Sequence, residues 1–151
     1  MLNGHGNENM VCGHENEPLL VLEENEELIS SKVVYAISCK SAKKLGSNSI
    51  KRGTINYTGY SDDFIFFFDP IKASRPKDDK IAELFLKPSR EFVKTLIKGN
   101  TIDTAYKKTK RMFRENIIKL LANEDASLVR FLWWDMRNFV SHGNMNTSPL
   151  L

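Results

Sequence analysis

The chain has 151 residues, of which 41% are hydrophobic and 27% are charged. This length suits one domain with a real core, and the composition excludes the disordered and fibrous classes. No apolar run approaches the ~20 residues of a membrane span, and the first residues lack a secretory signal pattern. With only two cysteines, we expect a cytoplasmic protein in a reducing compartment, without disulfides and without a membrane partner.

The net charge of +3 is distributed unevenly along the chain. Every charged side chain between positions 8 and 27 is acidic, whereas the balance from position 32 onward is basic. Solvated faces of opposite sign are the common cause of such asymmetry, and a polyanion partner is the alternative.

The first part of the chain is predicted to begin with a Gly- and Asn-rich loop over residues 1–16. An edge strand over 18–22 and one or two helical turns within 23–31 follow. Residues 33–39 predict a short, apolar strand that ends at Cys39. The next residues begin a predicted helix at 41–45, which Gly46 is expected to stop.

Two further strand candidates follow this helix. Residues 54–60 carry β-branched and aromatic side chains in partial alternation, which predicts a strand. The run 64–68 is too apolar to face water, so we expect a buried strand or the start of a buried helix. A loop closed by prolines is predicted over 69–76.

The second part of the chain has helical periodicity. A helix is predicted over 77–98, with a bend at Pro88, and Gly99 and Thr101 supply a stop and the next N-cap. Another helix is predicted over 126–140. The helix after Thr101 has one apolar stripe, the pattern of a core-facing amphipathic helix, formed by Ile102, Tyr106, Thr109, Phe113, Ile117 and Leu120.

Strands first, with crossover helices between them and helices behind, predict an α/β fold. We expect a single domain, 1–151, with a sheet-bearing part over 1–76 and a helical part over 77–151. In open α/β sheets, functional residues gather outside the carboxyl ends of the strands. Cys39 ends one predicted strand, and His5, between Gly4 and Gly6, precedes it by a separation that accommodates one crossover connection.

A cysteine nucleophile and a histidine base at one sheet edge are the minimum equipment of a cysteine peptidase. Lys40, Lys43 and Lys44, and the free N–H groups of the helix predicted after Cys39, would favour the thiolate. His5 would exchange the proton. Taken singly, however, a cysteine that ends an apolar strand is more often a small core residue.

The backbone N–H groups of Gly6 and Cys39 are candidate donors for an oxyanion hole. The glycines beside His5 would allow the backbone to come close to a substrate. A histidine between glycines is more often an ordinary loop residue. A catalytic role for His5 therefore depends on its joint position with Cys39.

These residues resemble the caspase-like (clan CD) cysteine peptidases, and more narrowly the bacterial CHAT-domain proteins. The resemblance is carried by Gly4-His5-Gly6, by the strand that delivers Cys39, and by the small-residue turn at 41–42. Segments 59–64 and 132–138 also look like segments of CHAT-type proteins. In such families the His-Gly pair ends one sheet strand and the cysteine ends the neighbouring one.

The resemblance implies a caspase-like three-layer sandwich with a mostly parallel sheet. It implies a cysteine endopeptidase in which His5 is the catalytic histidine, Cys39 is the nucleophile and Gly6 is an oxyanion-hole donor. Hydrolysis would follow a thioester intermediate, without a metal or organic cofactor, on a protein or peptide substrate. Several relatives cleave after basic residues, so Asp62 or Asp63 would line the first specificity pocket, although a solvated turn is the simpler interpretation.

The chain departs from this family at its start. Only residues 1–3 precede the Gly4-His5-Gly6 element, too few to form the strand that carries the histidine. We therefore expect the chain to be N-terminally truncated relative to the family, either as the C-terminal part of a longer protein or as the partner of another polypeptide. A sheet of this kind would have an exposed edge.

Three other interpretations were weighed. A non-catalytic protein-interaction module with an incomplete or decayed dyad is the main alternative. Cys12 and His14, with the dyad, lack the ligand spacing of common zinc sites, and His142 is interpreted as part of a helix stop. A basic helix face would be able to contact nucleic acid, but a solvated face is the default; it comprises Lys107, Lys108, Lys110, Arg111 and Arg114.

Overall fold

The protein, described by a computed structural model over residues 1–123 and 126–149, is a mixed α/β fold. Across these ranges the main sheet has four strands, which lie side by side in the order Leu2–Asn3, Val33–Ile37, Asn56–Tyr60 and Phe139–Gly143. Three of them run parallel: β1 (Leu2–Asn3), β4 (Val33–Ile37) and β5 (Asn56–Tyr60). The last, β6 (Phe139–Gly143), runs antiparallel to β5.

A separate β-hairpin follows β1, and it consists of β2 (Met10–Cys12) and β3 (Pro18–Val21). The hairpin is tied to the end of β1, because the Cys12 N–H donates to the His5 carbonyl oxygen at 2.8 Å. A 3₁₀ turn at Glu26–Ile29 then leads into β4.

The strand β4 forms because its side chains are apolar or β-branched, and β5 contributes aromatic and β-branched side chains at Tyr57, Thr58 and Tyr60; both strands are buried on both sides. The central residues of β4 are buried, and so is the whole of β5. Alternate β4 residues pack in different clusters: Val34 and Ala36 belong to one cluster, and Tyr35 belongs to another. The sheet therefore has a core on each face.

Helices cover both of these faces. The short α1 (Leu45–Lys51) shares the first cluster with the sheet and the hairpin. The long α2 (Lys80–Ile97) and α3 (Ile102–Ala122) pack on the opposite face. A third cluster joins these two helices to α4 (Val129–Asn138). The layers are thus helix, sheet and helix, and the mixed α/β class with a mostly parallel sheet agrees with the expectation from the sequence.

Several helix boundaries are confirmed. Gly99 ends α2 in the left-handed region, with φ +80°, and the Thr101 side chain caps α3 by accepting from the Thr104 N–H. Pro88 lies inside α2. The predicted stripe of α3 is buried or half-buried at every position.

The prediction that residues 1–16 form only a loop is wrong. Leu2 and Asn3 form a strand, with Leu2 opposite Ala36 and Asn3 opposite Ile37. Three residues before the Gly4-His5-Gly6 element are therefore sufficient for a short strand, because β4 supplies hydrogen-bonding partners that local sequence cannot. In the described part of the chain, β1 is an edge of the main sheet.

Three other predicted elements are wrong. Gly46 does not stop a helix at 41–45; it lies inside α1, where the ring of Tyr57 would clash with any Cβ. The run 64–68 is neither a buried strand nor a buried helix, and its last three rings are exposed. Residues 139–143 form β6 instead of a helix end, so the part over 77–151 is not purely helical.

Among the described residues, none of the helices is both long enough and apolar enough to cross a membrane.

Candidate active site

The parallel pairing of β1 with β4 brings His5 and Cys39 to the same edge of the sheet. The pairing ends with Asn3 opposite Ile37, and two further residues on each strand lead to His5 and Cys39. The backbones stay together at this point, because the Ser38 hydroxyl donates to the His5 carbonyl oxygen at 3.1 Å. Neighbouring parallel strands are ~4.8 Å apart, and residues in register point to the same face.

The glycines beside His5 are required by this close approach. A Cβ on Gly4 would lie 2.1 Å from the Cys12 carbonyl oxygen, and a Cβ on Gly6 would lie 2.0 Å from the Ser38 hydroxyl. The chain therefore needs glycine on both sides of His5 to pass between the hairpin and β4. The His5 side chain itself is exposed.

The Cys39 thiol is half-buried and lies beside residues 61–65, which we call the covering segment. Burial and the neighbouring Asp63 carboxylate raise the pKa of Cys39, whereas a hydrogen bond from the Phe64 backbone N–H and the charge of Lys40 lower it. The net shift is upward, so the thiol is protonated at neutral pH.

The sequence-based expectation of a stabilised thiolate is therefore wrong. The helix after Cys39 begins only at Leu45. Its free N–H groups therefore do not directly follow the cysteine in the chain. Lys43 and Lys44 both form ion pairs with Glu8. Of the three lysines, Lys40 is the one whose charge lowers the pKa of Cys39.

The candidate oxyanion donors are available. Within the described residues, no backbone hydrogen bond engages the N–H of Gly6 or Cys39. The turn that follows is tightly fixed: Lys40 has a left-handed φ of 59°, and its N–H donates to the Asp62 carbonyl oxygen at 3.1 Å.

Of the two predicted pocket acids, Asp63 lies next to the thiol, and both lie near the Lys40 ammonium. The Lys40 ammonium is 3.0 Å from an Asp63 carboxylate oxygen and 3.9 Å from an Asp62 carboxylate oxygen. These side chains are partly exposed, so a solvated turn describes them as well as a specificity pocket does. The pKa of Lys40 is raised mainly by its hydrogen bond to Asp63.

The weaker candidates do not join this site. The described residues contain no group of three His, Cys, Asp or Glu side chains that could hold a metal ion, so Cys12 and His14 form no zinc site with the dyad. Cys12 is buried, and the His14 ring is almost fully exposed beside Glu15. His142 lies in β6, where its Nε2 is 2.7 Å from the Ala42 carbonyl oxygen, and is not part of a helix stop.

The basic face of α3 is largely compensated. Lys107 pairs with Asp103 at 2.7 Å, Lys108 pairs with Glu91, and Arg111 lies 3.6 Å from Glu115. Lys110 lies over the Tyr106 ring. A solvated, internally paired face explains these residues.

Two residues of α4 contact the covering segment, and the sequence argument did not identify them. Trp134 donates from Nε1 to the Asp63 carbonyl oxygen, and Asp135 accepts from the Ile65 N–H, each at 3.0 Å. The available signal was an acidic residue inside an otherwise apolar helical run. Such a residue requires a buried partner.

Comparisons of the chain with protein-family models, with curated proteins and with solved structures gave no match.

Proposed function

We propose that the protein is a cysteine endopeptidase of the caspase-like type, with Cys39 as nucleophile and His5 as acid–base catalyst. The observation that carries this proposal is the parallel register of β1 and β4. Its last pair, Asn3 and Ile37, lies two residues before His5 and Cys39 on the two strands. The hydrogen bond from Ser38 to the His5 carbonyl supports it, since it keeps the two strand ends in contact. The resemblance of the residue pattern to that of CHAT-type proteins also supports the proposal.

The chemistry follows that of an acid–base-assisted thiol. His5 takes the proton of the Cys39 thiol as the sulfur attacks the scissile carbonyl carbon, and the oxyanion forms near the Gly6 and Cys39 N–H groups. The C–N bond breaks when His5 returns the proton to the leaving amine. Water then attacks the thioester with His5 as base, which releases the acid and restores the thiol.

The proposed substrate is a protein or peptide with a basic residue before the scissile bond. Asp62 and Asp63 would bind that residue, and the contact between Asp63 and Lys40 supports this chemistry because it demonstrates a cation at the same carboxylates. A substrate cation would displace Lys40.

The test is labelling of the full chain with a peptidyl chloromethyl ketone that carries arginine at the first position. We expect modification of Cys39, mapped by peptide mass spectrometry, well before that of the buried Cys12. His5→Ala should slow the labelling by at least ~10-fold, since acid–base catalysis contributes ~10²–10⁴-fold. His14→Ala is the matched control, because its ring is exposed and outside the site. Equal labelling of both cysteines, or no effect of His5→Ala, would contradict the proposal.

The alternative is a non-catalytic interaction module with an incomplete dyad. The raised pKa of Cys39 favours it, because a protonated, half-buried thiol is a poor nucleophile. Under this alternative, the chloromethyl ketone would react no faster with Cys39 than with a simple thiol.

A further inference from the structure

The covering segment reaches Cys39 from β5, and two sets of contacts hold it in place. On the side of the thiol, the Lys40 N–H donates to the Asp62 carbonyl oxygen at 3.1 Å. On the other side lies α4, since its C-terminal end leads directly into β6 and Phe139 is opposite Tyr60. The end of β5 and the end of α4 are therefore neighbours.

Two side chains of α4 bind backbone groups of the covering segment. The indole Nε1 of Trp134 donates to the Asp63 carbonyl oxygen at 3.0 Å. The Oδ1 of Asp135 accepts from the Ile65 N–H at 3.0 Å. These bonds lie on either side of Phe64, whose own N–H is the group that is hydrogen-bonded to the sulfur.

Asp135 is unusual for a residue with a purely local role. Its side chain is fully buried, and its Oδ2 has no hydrogen-bond partner within the described residues. A buried carboxyl group with an unpaired oxygen is costly. The bond to Ile65 is its one hydrogen bond among the described residues. The covering segment is therefore the part of the protein that this side chain holds.

We propose that Trp134 and Asp135 are positioning residues that hold the covering segment against Cys39. The inference rests on the proposed function, since it concerns the reactivity of the same thiol. While the segment is held, it buries the thiol and keeps the Asp63 carboxylate beside it, and both raise the pKa of Cys39. If α4 releases the segment, the thiol loses its cover and the adjacent carboxylate, and its pKa falls towards the ordinary value of ~8.5.

The test is the pH dependence of iodoacetamide alkylation at Cys39, measured in the full chain by peptide mass spectrometry. The groups that face the thiol in this measurement are Asp63 and Lys40, with His5 on the neighbouring strand. We expect Trp134→Phe and Asp135→Ala to shift the midpoint downward and to raise the alkylation rate at pH 7 at least ~3-fold, which corresponds to about half a pKa unit.

Two controls separate positioning from general loss of structure. Trp133→Phe is matched to Trp134→Phe, because Trp133 is 46% exposed and contacts Arg137 instead of the covering segment; its profile should equal that of the wild type. Asp135→Asn retains an oxygen that can accept from the Ile65 N–H, so it should restore the wild-type midpoint. Labelling of the buried Cys12 reports unfolding in every variant.

The inference would be overturned if Trp134→Phe and Asp135→Ala kept the wild-type midpoint while Cys12 stayed protected. It would also be overturned if Trp133→Phe shifted the midpoint equally. If Asp135→Ala does not fold, Trp134→Phe alone decides, because it removes the Nε1 donor and keeps an aromatic ring, and Trp133→Phe controls for the loss of indole volume. The alkylation profile needs no substrate, so failure of the peptidase proposal would appear in chloromethyl ketone labelling and not here.

Discussion

At the scale of single residues, Asp135 shows how strongly burial alters a side chain. Desolvation raises the pKa of Asp135 to about 8, and the hydrogen bond from the Ile65 N–H compensates only in part. The phenolic oxygen of Tyr60 is nearby and fully buried, and the pKa of Tyr60 lies well above its ordinary value for the same reason. At neutral pH the native protein therefore holds Asp135 mainly in its protonated form.

This protonation predicts a pH-dependent stability. The ordinary pKa of Asp is ~3.9, so between pH ~4 and ~8 the native state holds a proton that the unfolded state has lost. The free energy of unfolding therefore decreases as pH rises through this window, by at most ~1.4 kcal/mol per pH unit. Asp135→Asn should remove this slope, which urea unfolding at pH 5, 6, 7 and 8 would measure. A slope equal to that of the wild type would contradict a buried, protonated Asp135.

At the scale of elements, the start of α2 depends on one side chain. Asp79 caps this helix by accepting from the N–H groups of Ile81 and Ala82 at 3.0 and 2.9 Å, and its second oxygen accepts from the Asp69 N–H at 2.8 Å. These bonds lower the pKa of Asp79, with the Ala82 N–H as the largest cause. The cap therefore ties the helix to the loop that follows the exposed phenylalanines.

Replacement of this cap should be measurable. We expect Asp79→Ala to lower the thermal midpoint by several degrees, because three backbone donors lose their acceptor. Asp79→Asn keeps one acceptor oxygen and should recover part of the loss. The lowered pKa of the wild-type residue means that its contribution is present above pH ~4 and is lost as pH falls through the native pKa. Calorimetry of both variants and of the wild type at pH 7 checks this. Thermal midpoints of both variants equal to that of the wild type would argue against a capping role.

At the scale of the whole molecule, the hydrophobic cluster shared by α2, α3 and α4 determines the position of α4 in the fold. Phe113 of α3 and Leu132 of α4 are both fully buried there, together with Phe85 of α2. Three helices that are distant in sequence thus share one core. Because α4 carries Trp134 and Asp135, this packing sets the position of the covering segment as well.

A large-to-small change in this cluster should therefore affect both stability and the site. We expect Phe113→Ala to reduce the free energy of unfolding by ~3–5 kcal/mol, the usual cost of a buried Phe→Ala change. Ile118→Ala in the same helix is the control, since Ile118 is 57% exposed, and it should change stability by less than ~1 kcal/mol. Urea unfolding measures both values. A similar loss in the two variants would show that the cluster is not a central part of the core.

The sequence alone determined those parts of the protein that local interactions control. The stripe of α3 and the stop and cap at Gly99 and Thr101 were predictable, because helices are defined by neighbours three or four residues apart. The strand β4 was predictable from its continuous apolar character, and β5 was predictable from β-branched and aromatic side chains in partial alternation. The sequence also led to the expectation that His5 and Cys39 lie at one sheet edge, but the strand that leads to His5 was not predicted.

Tertiary structure decided the rest, because those features depend on partners far away in the chain. The strand β1 exists because β4 offers a hydrogen-bonding edge to two residues that have no strand signal of their own. The strand β6 follows α4 without a break because its ladder partner is β5. The state of the Cys39 thiol depends on the covering segment, whose anchors on α4 lie about 70 residues further along the chain. Contacts of this kind carry no local period, so no sequence pattern predicts them.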